Sequence, residues 1–165
     1  MVRIRRSRLR VLALAVLPGM AVVLGVAAGV LQWHLVSDRE TAAAVGESVQ
    51  AARTAAARIL SYRADTVEQD FAAARSELTG AFLDSYTELV TTSVIPAARQ
   101  RQISAVAEVV GAASVSAAPD HAVALVFVNQ TTTVGRDAPT LYPSTVRVTL
   151  DKIGGRWLVS GFDPV

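Results

Sequence analysis

The chain has 165 residues, of which 52% are hydrophobic, and a formal net charge of +2. This length accommodates one membrane segment and one small domain, and the absence of cysteine excludes disulfides, thiolate metal sites and a cysteine nucleophile. Five arginines precede an apolar run, and the remaining 11 basic residues face 14 acidic ones, so the rest of the chain offers no cationic surface for nucleic acid.

The N-terminal residues have the pattern of a membrane anchor. Residues 11–31 form a mostly apolar, uncharged run of 21 residues, which crosses a hydrocarbon core of roughly 30 Å at about 1.5 Å per residue. The positive-inside rule predicts a cytoplasmic arginine-rich tail over residues 1–10, a transmembrane helix over 11–36 and an extracytoplasmic remainder at the cell membrane. A cleaved export signal is the alternative, but its apolar core is usually only about 7–15 residues long.

Residues 37–60 are predicted to form a helical stalk that continues from the membrane helix. Apolar or small residues recur there at intervals of three and four, the spacing of a coiled-coil-like seam. The residues of this stripe are Ala42, Val45, Val49, Ala52, Ala56 and Ile59. Two interpretations stay open, because the stripe either binds helices of a partner or packs on the sheet of the protein itself.

Further helices are predicted between the stalk and the first strand. Asp65 and Glu68 have the spacing of a capping box at the start of a helix. Gly80 is placed to end that helix in a left-handed conformation. A third helix follows and fades into a β-branched stretch before Pro96, and residues 96–102 hold one further short turn.

Alternating valine and threonine after Gln102 predict four strands. The second strand is expected to be central in the sheet, because it is apolar on both faces as far as Val128. Short turns join most of the strands, which predicts an antiparallel meander. The strands are expected over 103–117, 121–133, 144–152 and 156–162. The fold class is therefore α+β: after the stalk, residues 61–165 form a cone-like domain of about three helices packed on a curved four-stranded antiparallel sheet.

Several short segments carry a family resemblance. They are Ser61-Tyr62, Asp70-Phe71, Leu78-Thr79-Gly80, Pro96-Ala97-Ala98, Phe127 to Thr132, Arg147 to Leu150 and Gly155 to Ser160. Together with the basic tail and the apolar run, these segments resemble the actinobacterial Mce-associated membrane proteins (mammalian cell entry-associated). The exported domain is similar to the nuclear transport factor 2-like fold, which is cystatin-like in outline.

The resemblance implies a non-catalytic accessory membrane protein that stabilises or assembles a Mce-type lipid import complex in the cell envelope. Its expected partners are Mce transporter subunits and membrane lipid, and no cofactor or metal is expected. The candidate partner surface combines part of the stalk stripe with an abrupt polar stretch in the second strand, which is alternatively only the solvated end of that strand. Its residues are Val45, Val49, Ala52, Ala56, Asn129, Gln130 and Thr132.

Two other functions stay open from the sequence. The cone could hold a lipid or sterol in an apolar cavity, or it could be an isomerase-like or dehydratase-like enzyme, since one fold hosts many chemistries. An enzyme of that kind requires a buried acid within reach of a tyrosine hydroxyl. The sequence has no metal motif, phosphate loop or triad spacing, and His34 and His121 are expected at the membrane boundary and at a turn.

Overall fold

The computed structural model describes residues 40–165. The predictions for the arginine-rich tail, the membrane span, His34 and the first residues of the stalk lie outside this part of the chain. Thr41–Val165 form one compact unit. Within residues 40–165, no helix is both long and apolar enough to cross a membrane.

Four α-helices and one π-helical segment precede the sheet. Helix α1 occupies residues 40–59 of the described chain. The other helices are α2 (Val67–Arg75), α3 (Gly80–Leu89), the π-helix (Val90–Val94) and α4 (Ile95–Arg101). The last three follow one another without a loop, and α4 ends at Gln102, whose φ of 53° is left-handed.

The four predicted strands and their antiparallel order are confirmed. They are β1 (Ile103–Ala117), β2 (His121–Val134), β3 (Thr140–Ile153) and β4 (Arg156–Pro164). The sheet has the order β1-β2-β3-β4, so β2 is an inner strand as expected. Strand β3 begins four residues before the predicted position, because Thr140 to Pro143 continue the ladder with β2. Pro143 is tolerated there, since β4 pairs with β3 only from Val146 onward and a proline needs an unpaired strand edge.

The helices cover one face of the sheet, and the core lies between the two layers. Alternate residues of β2, from Ala122 to Val128, are buried on this face. Helix α1 contributes small buried side chains, among them Ala52, Ala55 and Ala56, to the same core cluster. The largest fully buried side chains include Val67, Val126, Val148, Leu150 and Val159.

Loop segments cover part of each outer strand. Tyr62 and Ala105 exchange two backbone hydrogen bonds of 2.8 Å along β1, and the amide of Ala107 donates to the hydroxyl oxygen of Ser61. On the opposite edge, the amide of Val159 in β4 donates to the carbonyl of Glu77. These contacts satisfy backbone groups that an open sheet edge would expose.

The predicted capping box at Asp65 is wrong. Helix α2 begins at Val67, and its N-cap residue Thr66 makes no side-chain bond to a free amide of the first turn. The Thr66 hydroxyl instead donates to Asp70 at 2.8 Å. Asp70 also accepts from the backbone amide of Arg63 at 3.0 Å. The carboxylate of Asp70, one turn into the helix, therefore holds the residues that precede α2, which is the role predicted for Asp65.

Two other helix boundaries differ from the expectation. Gly80 is left-handed, with a φ of 59°, but it begins α3, whereas α2 already ends at Arg75. The threonine-rich stretch before Pro96 stays helical as a π-helix. There the hydroxyls of Thr91 and Thr92 donate to carbonyls one turn back, each at 2.7 Å, which offsets their poor intrinsic helix propensity.

Candidate partner surface

The structure places the four predicted stalk residues on different sides of α1. Val45 is exposed and Val49 is half-buried, whereas Ala52 and Ala56 are fully buried in the core of the domain. A partner surface at Ala52 and Ala56 is therefore wrong. For these two residues the second interpretation of the stripe applies: they pack inside the protein's own domain. From Thr41 onward, the residues predicted as a stalk belong to the compact unit.

The three predicted strand residues do not share one face. Side chains alternate along a strand, so Asn129 lies on the face opposite to Gln130 and Thr132. The Gln130 side chain donates to the carbonyl of Leu60 at 2.8 Å, which is a structural tie to the end of α1. Of the three, only Asn129 lies on the sheet face that the helices leave uncovered.

A polar clamp, which the sequence did not reveal, joins α1 to the hairpin of β3 and β4. Glu47 accepts from Lys152 at 2.7 Å and from the indole N–H of Trp157 at 3.1 Å. The Lys152 ammonium also lies 5.3 Å from the centre of the Trp157 ring, within the range of a cation–π contact. The hydrogen bond from Lys152, then that from Trp157, and the charge of Lys152 lower the pKa of Glu47.

A second polar group lies at the start of β2. The Nδ1 atom of His121 is 2.6 Å from Asp151. A hydrogen bond with Ser160, followed by the one with His121, lowers the pKa of Asp151. The carboxylate is central in this group, whereas a serine protease triad places histidine between serine and aspartate. The arrangement fits a surface link between strands better than a catalytic triad.

Aromatic side chains fill the space between α2, α3 and the sheet. The rings of Phe71 and Tyr86 are 6.1 Å apart with an edge-on geometry, and Phe82 stacks on Phe162 at 6.2 Å. Burial raises the pKa of the Tyr86 hydroxyl, which lies 3.4 Å from the carbonyl of Ile59. Tyrosine hydroxyls commonly find such a partner when they are buried.

The enzyme hypothesis requires a buried acid beside one of these tyrosines. Among residues 40–165, no acidic side chain is buried, and Ser48 is the one buried polar residue besides Tyr86 and Trp157. Its hydroxyl donates to the carbonyl of Val45. In the same part of the chain, no three side chains of histidine, aspartate or glutamate are grouped to hold a metal ion. The described core therefore supplies packing contacts and no acid–tyrosine pair.

The sheet face turned away from the helices carries the main exposed apolar surface of the strands. Phe127 is 43% exposed, and Val106, Val110 and Leu141 are each more than half exposed. A surface groove of about 400 Å³ opens beside Phe127. Its lining includes Val110, Phe127, Asn129, Pro143, Thr145 and Val165. Alternation along the first strand places Val106, Glu108 and Val110 on one face, but it does not show which face stays uncovered.

The fold is similar to those of several solved domains. A type IV secretion system protein of the IcmL type from Legionella pneumophila has a TM-score of 0.61 at 10% identity, covering 71% of this chain and 88% of that chain. The periplasmic domain of DotI has a TM-score of 0.60 at 12% identity, with coverages of 71% and 91%. Agrobacterium tumefaciens VirB8 has a TM-score of 0.56 at 14% identity, with coverages of 70% and 88%. At these identities the likeness shows the fold alone.

Sequence comparison finds nearer relatives, although no family model matches the chain. The uncharacterized protein Rv1362c of Mycobacterium tuberculosis is 44% identical over 131 residues, which cover 78% of this chain and 59% of that protein. The outer membrane protein Rv1973 of Mycobacterium tuberculosis is 56% identical over 156 residues, which cover 94% of this chain and 98% of that protein. The chain therefore belongs to the family of the mycobacterial outer membrane protein Rv1973.

Proposed function

We propose that this chain is a non-catalytic accessory protein of the cell envelope, which stabilises or assembles a Mce-type lipid import complex. A single membrane helix holds it, with the arginine-rich tail in the cytoplasm and the domain outside the cell membrane. The observation that carries the non-catalytic part is the apolar character of the core. Helices and strands pack their apolar side chains into one cluster, in which the described chain buries no charged group.

The membrane part of the proposal is supported by the chain and by its relative. The alignment with outer membrane protein Rv1973 covers 94% of the chain, so it includes most of the apolar run at residues 11–31. The name of this relative describes it as a membrane protein. In this chain, the apolar run at residues 11–31 has the length of a membrane helix. The arginines before it favour retention of the N-terminus in the cytoplasm.

The assembly role is supported by the family resemblance and by the surface that remains accessible. Val45 is exposed on α1 and Asn129 lies on the uncovered sheet face, so both can contact other subunits. The solved domains of similar fold include a type IV secretion system protein, so the same fold occurs in a component of a secretion system. The Mce complex as partner comes from the sequence resemblance.

Affinity purification of the tagged full-length chain from native membranes tests the proposal. In a gentle detergent, we expect Mce transporter subunits to be recovered with the chain and to be absent when an unrelated single-span protein carries the tag. Recovery of the chain without any transporter subunit, from membranes that contain the transporter, would contradict the assignment.

A pair of exposed-site variants locates the contact on the domain. Val45→Asp adds a charge to the accessible face of α1, and we expect it to reduce transporter recovery several-fold. Leu89→Asp is the matched control, because Leu89 is 57% exposed on α3. Equal recovery of transporter subunits with both variants would show that Val45 is not part of the contact surface.

A further inference from the structure

The uncovered face of the sheet has the composition of an interface. Soluble surfaces rarely keep large apolar side chains in one contiguous patch without a partner. Here Thr131 on β2 lies between Val106 on β1 and Leu141 on β3 in register. Two rows further along β2 lies Phe127, whose ring contacts the Gly111 position. The face thus presents apolar side chains across three neighbouring strands.

This face offers enough surface for a specific contact. About half of the residues of the four strands point outward on this face, which is comparable with the roughly 20–30 residues on one side of a standard protein interface. A surface groove lies beside Phe127. The sheet edges are less available, because loop segments at Tyr62 and Glu77 already bond to β1 and β4.

Two opposite charges flank the centre of the face. Glu108 on β1 pairs in register with Asn129, one outward position to one side of Phe127. Arg147 on β3 pairs in register with Leu125, one outward position to the other side. Both are exposed, and within residues 40–165 neither forms an ion pair. An acid and a base therefore lie at opposite ends of a diagonal through Phe127.

This arrangement is complementary to itself. In a two-fold contact, both copies use the same patch, so residue i meets residue j and residue j meets residue i. A two-fold axis that runs between the two faces at Phe127, perpendicular to the diagonal, brings Glu108 of each copy over Arg147 of the other. The apolar centres then cover each other.

We propose that the uncovered sheet face binds a second copy of this chain. Phe127 lies near the two-fold axis, and Glu108 of one copy pairs with Arg147 of the other. Asn129, whose side chain has no hydrogen-bond partner within the described residues, lies beside the axis at the rim of the groove. The proposal concerns self-association and does not depend on the identity of the transporter.

A charge-reversal cycle on the full-length chain tests the proposal. The molecular mass of the protein in detergent is measured by sedimentation equilibrium for wild type, Glu108→Arg, Arg147→Glu and the double variant. We expect a wild-type dimer that each single reversal weakens about tenfold, because each creates two like-charge contacts in a symmetric dimer. The double variant restores opposite charges at both contacts and should regain dimerisation.

The control and the contrary outcomes separate this face from other modes of association. Asp84→Arg is the matched control, since Asp84 is exposed on α3, and its dimer should be unchanged. Thermal unfolding of every variant checks that the domain is folded. A wild-type monomer, as expected if lipid or a different protein covers the face, overturns the proposal. A dimer that both single reversals leave intact also overturns it, because its contact then lies elsewhere.

Discussion

Glu47 shows how one side chain fixes a helix on the sheet. Lys152 is the only lysine of the chain, and it reaches Glu47 together with Trp157. Trp157 is buried, whereas its neighbour Arg156 is exposed. The clamp itself could not be predicted, since 105 residues separate Glu47 from Lys152 and no local pattern gives the position of α1 over the hairpin.

The clamp predicts a dependence of stability on pH. The folded pKa of Glu47 is lowered from its ordinary value of 4.5, so its contribution is present above the unfolded pKa and is lost as the pH falls through the folded one. In thermal unfolding, Glu47→Gln should have a lower Tm than wild type at pH 7, and the difference should close at pH 3. Glu88→Gln is the control, because the Glu88 side chain forms no ion pair within residues 40–165. A difference that persists unchanged at pH 3 would exclude ionic stabilisation.

Helix α1 shows which features can be predicted from the spacing of apolar residues and which cannot. Its existence and its end near Leu60 were predictable, as were the strands, because alternation separates the two faces of each strand. The buried side of α1 was not predictable. Residues 51–57 contain five alanines, and alanine fits a core and a surface almost equally well. The seam drawn through Val45 and Val49 lies beside the true buried stripe, which runs through Ala44, Ser48 and Ala52.

Packing of α1 on the sheet predicts a contrast between two positions on this helix. Ala52→Leu adds methylene groups where the side chain is fully buried, and overpacking should cost about 1–3 kcal/mol of unfolding free energy. Val45→Leu changes an exposed side chain and should stay within about 0.5 kcal/mol of wild type. Chemical denaturation of the full-length chain in detergent measures both. Equal stability of the two variants would mean that α1 does not pack on the sheet as described.

The whole molecule combines a predicted anchor with a described domain. The family resemblance and the α+β order gave the architecture of residues 61–165 correctly, with three α-helices before a four-stranded antiparallel meander. The candidate surface was predicted less well. A one-residue step along β2 moves a side chain to the other face of the sheet. Asn129 therefore points away from the helices and Gln130 towards them, although the two are neighbours in the sequence.

Thiol labelling tests most directly whether the domain is held outside the cell membrane. The chain has no cysteine, so Asp84→Cys on the exposed side of α3 introduces a single reactive thiol. A membrane-impermeant maleimide should label it in intact spheroplasts, whereas Ser7→Cys in the arginine-rich tail should react only after lysis. Labelling of Ser7→Cys in intact spheroplasts, with Asp84→Cys protected until lysis, would contradict the account.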